Sequence, residues 1–195
     1  MLERPTSASE WHPNRPSMLA IGTIVWLASE LMFFSGLFAA YFTIRAQAHG
    51  KPWPPPDVHF VFWRSLTFTI ILILSSFTMQ WALIQEEKGM RRQARIWLAI
   101  TFAMGLVFVL GQALEWHTAP FGPKSNAYGS MFYLMTGLHG LHVIVGLVAM
   151  IGLWGRMVGP KGDPGEAPVF QAVSYYWHFV DVVWIGLFSA LFLLH

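Results

Sequence analysis

The stretch YYWHFVDVVWIGLF, residues 175–188, sets His178 and Asp181 three residues apart inside an apolar run. On a helix that spacing puts both side chains on nearly one face, flanked by Trp177 and Trp184. HGLHVIVG does the same with His139 and His142, and WLASELMFFSGLF surrounds Glu30 with apolar neighbours. A central acid costs about 2.5–3.5 kcal/mol in a membrane, so Glu30 and Asp181 each require a partner, water, a bound lipid or a proton. The chemistry open to such groups is proton transfer, an interhelical hydrogen bond or, for the imidazoles, metal or haem ligation.

The expected role of the histidines and Asp181 is to fix helix register. His139, His142, His178 and Asp181 fall at similar depth on two antiparallel helices, and Asp181 is expected to pair with His139 or His142 as a charge-assisted bond in low dielectric. The competing reading, ligation of a metal or haem by His139, His142 and His178, lacks its machinery. There is no H-E-x-x-H motif and no run of multi-histidine boxes. Cysteine is absent, which excludes disulfides, a CXXCH haem attachment, thiolate copper sites and iron–sulfur clusters. No catalytic residue, metal ligand or resident cofactor is therefore expected. Gln112 and Glu115 stand where an apolar run ends, so an interfacial hydrogen bond is expected of them. Arg156 follows Trp154 at another such end, where a guanidinium either snorkels to a lipid phosphate or serves as a positive anchor.

The elements that position these groups follow from composition. Of 195 residues, 55% are hydrophobic and 11% charged, far from the balance of a soluble domain. Apolar stretches cover 18–41, 66–84, 96–114, 131–154 and 169–194, each about the 20 residues needed to cross ~30 Å of hydrocarbon at 1.5 Å per residue. Runs this long and continuous are helical rather than alternating barrel strands. The expectation is an all-α membrane protein, a bundle of five transmembrane helices spanning about 18–44, 64–86, 94–116, 129–155 and 169–194. These form one domain over 17–195, preceded by a cytoplasmic segment over 1–16 that has no apolar signal-peptide core.

With an odd number of spans, the N-terminus and the loops EEKGMRRQAR and GRMVGPKGDPGEAP share a side. They hold Arg4, Arg15, Lys88, Arg91, Arg92, Arg95, Arg156 and Lys161, while Arg45, Lys51, Arg64 and Lys124 fall on the other. The positive-inside rule then places the N-terminus inside and the C-terminus outside. These loops account for the basic balance better than nucleic-acid binding does, since no soluble arginine-rich surface exists to carry it. Trp63, Trp81, Trp97, Trp116 and Trp154 sit near span ends and fit the aromatic belts of the lipid headgroup level. HGKPWPPPDVH, residues 49–59, reads as a stiff extended loop, and no internal repeat suggests a transporter.

Four motifs together carry a family resemblance: ASELMFFSGLFAAYF, GQALEWHTAPF, AYGSMFYLMTGLHGLHVIVG and SYYWHFVDVVWIGLF. They lie in four of the five spans, in order, and the chain from about Arg15 onward resembles subunit III of the haem-copper oxidases, that of cytochrome c oxidase in particular. The resemblance implies a non-catalytic subunit of a proton-pumping terminal oxidase in a bacterial plasma membrane. Such a chain packs against subunit I, belongs to a complex with subunit II, holds structural phospholipid and supports proton uptake. Haem and copper belong to the partner subunits, and cytochrome c, together with a cytochrome bc complex, would be reached indirectly. Glu30 matches the family's buried, carbodiimide-reactive glutamate, and Arg156 falls on an arginine that resembles a partner of lipid phosphate. The mitochondrial form has seven helices, and this chain starts at what resembles the third. A quinol oxidase has a similar subunit. The glutamate in SELMFF and the paired tyrosines of SYYWHFVDVVW resemble the cytochrome c branch. Two other classes compete: a stand-alone proton or ion pathway through Glu30, His178 and Asp181, and a membrane enzyme with a histidine-bound metal.

Overall fold

A computed structural model describes residues 18–48, 52–56, 62–158 and 166–194, with the side chain of Glu166 outside that set. The expected 1–16 segment with Arg4 and Arg15, Lys51 of the first loop and Lys161 of the last lie outside the described residues. Five long helices follow one another: α1 Met18–Ala46, α2 Phe62–Glu87, α3 Arg91–Thr118, α4 Ala127–Val158 and α5 Glu166–Phe188. A π-helical turn, Ser189–Leu193, continues α5. Each is long and apolar enough to cross a membrane, and there is no strand among the described residues.

Local chemistry sets the helix ends. α2 stops in a Schellman motif, with the Met90 N–H donating to Gln85 O at 2.9 Å and the Gly89 N–H to Glu86 O at 2.8 Å. The residue between must turn left-handed, and Gly89 has φ 71°. The resulting short hairpin sets α2 closely against α3. At the start of α4, Asn126 Oδ1 accepts the Gly129 N–H at 2.6 Å, an N-cap that satisfies an otherwise orphaned donor. The far end of α5 is capped by side chains of other helices. Tyr41 Oη donates to Ala190 O at 2.9 Å, Tyr128 Oη to Leu191 O at 2.8 Å and Arg45 Nη1 to Leu194 O at 2.9 Å. In hydrocarbon or at its border these terminal carbonyls have no other ready donor, so α1 and α4 close the end of α5.

α5 is the hub, packing on α1, α2 and α4, while α3 lies between α2 and α4. α1 is the outlier: its main contact is α5, and most of its surface is exposed. At the centre Trp177 is fully buried beside two glycines. A Cβ on Gly105 of α3 would lie 2.6 Å from its ring, and one on Gly146 of α4 would lie 2.9 Å away. These glycines let three backbones close around one indole, the small-residue packing typical of membrane helices. The outward apolar residues, such as Val25, Met32, Phe77 and Val148, face the lipid of a helical membrane protein.

Candidate functional site: two interhelical polar clusters

The first cluster joins α1 to α4 and α5. Glu30 Oε2 lies 3.3 Å from His142 Nε2, with both side chains only partly shielded. His142 Nδ1 is 2.7 Å from Leu138 O, one turn earlier on its own helix. A carbonyl only accepts, so Nδ1 carries a hydrogen. Nε2 then meets Glu30 either as an acceptor facing a protonated carboxyl or as the donor of an imidazolium facing a carboxylate. Phe34 lies edge-on to the imidazole with centroids 5.1 Å apart, and Tyr176 Oη donates to His142 O at 2.9 Å. Tyr176 in turn stacks on Trp26 of α1 at 5.4 Å, so the outlying helix is fastened where its acid lies.

The second cluster joins α2 to α5. Ser76 Oγ donates to Asp181 Oδ2 in a short contact, and His178 Nδ1 lies 3.1 Å from the same hydroxyl. Ser76 has one hydrogen. If it goes to Asp181, the oxygen accepts from His178; if it goes to His178, a protonated Asp181 must donate to Ser76. His178 Nε2 extends the set to Gln80 Oε1 at 3.3 Å. Beside this set Trp177 Nε1 donates to Ser75 Oγ at 2.9 Å, and about two turns back along α2 Thr69 Oγ1 accepts from Trp184 Nε1 at 3.0 Å. α2 therefore presents Thr69, Ser75 and Ser76 to α5 as a polar seam.

This arrangement corrects the expected Asp181–histidine pair. His142 turns to α1 and Glu30, and His139 packs as an aromatic ring, stacked on Trp184 at 4.8 Å and edge-on to Phe108 at 5.8 Å. Neither His139 nitrogen has a hydrogen-bond partner among the described residues. The histidines of α4 are therefore divided between faces, and Asp181 is served by a serine of α2. Equal depth on neighbouring helices was a poor guide because rotation about the helix axis decides which faces meet.

Glu115 makes more than a helix-end hydrogen bond. It is buried, with Oε2 2.8 Å from Nε of Arg64 on α2, whose Nη2 reaches Thr118 Oγ1 at 2.6 Å. Gln112 lies one turn before it, and its amide nitrogen is buried without a partner among the described residues. Arg156 is exposed near the end of α4, its carbonyl accepting from Arg91 Nη2 at 3.3 Å. The interfacial tryptophans also tie helices together: Trp116 Nε1 donates to Thr136 Oγ1 at 3.1 Å. Sequence reasoning missed Ser76, Arg64, Tyr41, Tyr128 and Tyr176. Serine and tyrosine are common in apolar helices, and only the serine doublet 75–76, one turn from Gln80, hinted at a polar face on α2. Among the described residues no group of three or more His, Asp or Glu is arranged to hold a metal ion.

Fold and clusters define a class: a multi-pass helical membrane protein whose intramembrane ionisable groups meet polar partners on neighbouring helices. Comparison with known proteins identifies the family. The model of cytochrome c oxidase subunit III matches residues 9–194, and the chain belongs to that family. It is 52% identical over 182 residues to the probable cytochrome c oxidase subunit 3 of Mycobacterium tuberculosis, covering 92% of this chain and 89% of the relative. The probable cytochrome c oxidase subunit 3 of Nocardia farcinica is 50% identical with the same coverage. The cytochrome c oxidase subunit 3 of Corynebacterium diphtheriae is 44% identical over 183 residues, covering 92% of this chain and 89% of the relative.

Proposed function

We propose that this chain is the non-catalytic subunit III of a proton-pumping cytochrome c oxidase in a bacterial plasma membrane, with its N-terminus inside and its C-terminus outside. It assembles with subunits I and II, which carry the haem and copper, and it stabilises subunit I. Cytochrome c is the electron donor of the complex. The observation that carries this reading is the family match across residues 9–194, together with relatives matched over nearly their whole length.

The Glu30–His142 contact supports a role in sustaining proton uptake. It joins a carboxyl and an imidazole, two groups able to take up and release a proton, on a largely shielded face between α1 and α4. Structural phospholipid contacts this same side, with Arg156 at the end of α4 binding the phosphate.

The test is purification of a tagged chain from its native membrane in mild detergent. Haem absorbance and larger partner chains are expected to co-purify in fixed ratio. A chain recovered alone, or one that by itself conducts protons in sealed vesicles, would favour the stand-alone pathway.

A further inference from the structure

At the end of the bundle where α2 turns into α3, a cavity of about 500 Å³ opens beside Arg91, Arg92 and Arg95, with Met157 and Val158 of α4 on its other wall. Among the described residues three guanidinium groups and no acid line it, and Arg91 Nη2 also donates to Arg156 O at 3.3 Å. One helical turn further into the bundle, α3 and α4 form a second hollow of about 310 Å³, lined by Leu98, Ala99, Phe102, Met150, Ile151 and Trp154. The two hollows lie in succession between the same two helices, with no lining residue in common. Arg92, Arg95, Ala99 and Phe102 recur at three- and four-residue spacing, the spacing of one face of α3, while Trp154 and Val158 are one turn apart on α4. A cationic mouth is thus followed, one helical turn along the same helices, by an apolar groove.

We infer that this composite groove between α3 and α4 binds one anionic phospholipid. Its phosphate lies among Arg91, Arg92 and Arg95, and an acyl chain runs along Ala99, Phe102 and Ile151. The charge selects a phosphate, and the groove selects the lipid over a free anion: inorganic phosphate would leave the apolar half unused. Guanidinium forks match phosphate oxygens, and basic pockets between transmembrane helices suit anionic headgroups.

This site is separate from the lipid contact assigned to Arg156. Ile151 follows His142 by nine residues, roughly two and a half turns, and so lies on the opposite face of α4. Arg156 follows His142 by fourteen residues, roughly four turns, and so returns to the face turned toward α1. The inference needs only the described helices and stands whether or not the oxidase reading holds.

The experiment is native mass spectrometry of the full chain in its purified complex after exchange into phosphatidylglycerol or phosphatidylcholine. Retention of phosphatidylglycerol over phosphatidylcholine is expected, with no displacement by inorganic phosphate. Replacing two exposed or half-exposed charges, Arg92→Gln with Arg95→Gln, is expected to lower that retention at least about tenfold. Ala99→Trp fills the groove without altering charge and is expected to do the same, while Arg156→Gln leaves this lipid in place. Unchanged retention in either groove variant overturns the proposal. So does a photo-crosslinker at position 99 that captures a partner chain and no lipid, or equal retention of the zwitterionic lipid.

Discussion

Trp177 Nε1 donates to Ser75 Oγ at 2.9 Å, so the most central ring of the bundle is pinned to α2 while two glycines of other helices close on its edges. Gly146→Ala would place a methyl 2.9 Å from that ring, and the indole is held too firmly to move aside. The expected cost is about 1–3 kcal/mol, read as a lowered thermal midpoint of the solubilised protein. Gly140→Ala on the same helix meets nothing within 4 Å and serves as the control, with an unchanged or raised midpoint.

Ser76→Ala removes the hydroxyl that links Asp181 to His178. A buried carboxyl left without its donor costs about 1–3 kcal/mol, so the variant is expected to assemble in reduced amount. Asp181→Asn retains an oxygen that accepts from Ser76 and removes the acid. It too is expected to weaken assembly more than steady turnover, by a smaller margin than Ser76→Ala. Complex yield and thermal midpoint check both; full assembly of Ser76→Ala at the parent midpoint would contradict the linking role.

Glu30→Ala removes the carboxyl and leaves the packing around it. Phe34, Trp26 and Tyr176 still fasten α1, so the complex is expected to assemble. Its oxidase activity is expected to decay over fewer turnovers, or its proton uptake to slow at alkaline pH. Oxygen consumption followed to exhaustion across pH measures this, and a lifetime equal to the parent's at every pH would count against Glu30 as a support of proton uptake.

Arg64→Gln leaves Glu115 buried without its cation. Hydrogen bonds to charged groups are worth about 1.5–3 kcal/mol, and Arg64 is partly exposed, so a loss toward the lower end is expected. Hydrogen exchange at the ends of α2 and α3 near Arg64 and Thr118 should quicken, with the rest of the bundle unaffected.

Tyr128→Phe removes one donor from the closing turn of α5. Backbone exchange over residues 189–193 is expected to accelerate, because Leu191 O loses the hydroxyl that caps it. The ring packing of Tyr128 on Phe132 survives the substitution, so the effect should stay local.

The five helices were legible in the sequence because length and unbroken hydropathy are local properties. Each apolar stretch lies within one helix, apart from Leu194 just beyond the π-helical turn. Most helix ends run a few residues past the expected limits, since the helices stop at capping positions, the left-handed Gly89 and the side chain of Asn126, which a hydropathy reading does not see. The acids and histidines that needed partners were legible as well, because an ionisable group in hydrocarbon announces its own cost.

The sequence by itself determined that this is a helical membrane chain of the oxidase subunit III family, with a handful of buried polar groups requiring satisfaction. Only the tertiary structure decided who satisfies whom: Ser76 rather than a histidine for Asp181, His142 for Glu30, Arg64 for Glu115, and aromatic faces for His139. The reason is geometric. Periodicity sets which residues share a face of one helix, whereas the rotation and tilt that bring two faces together come from the packing of the whole bundle around Trp177.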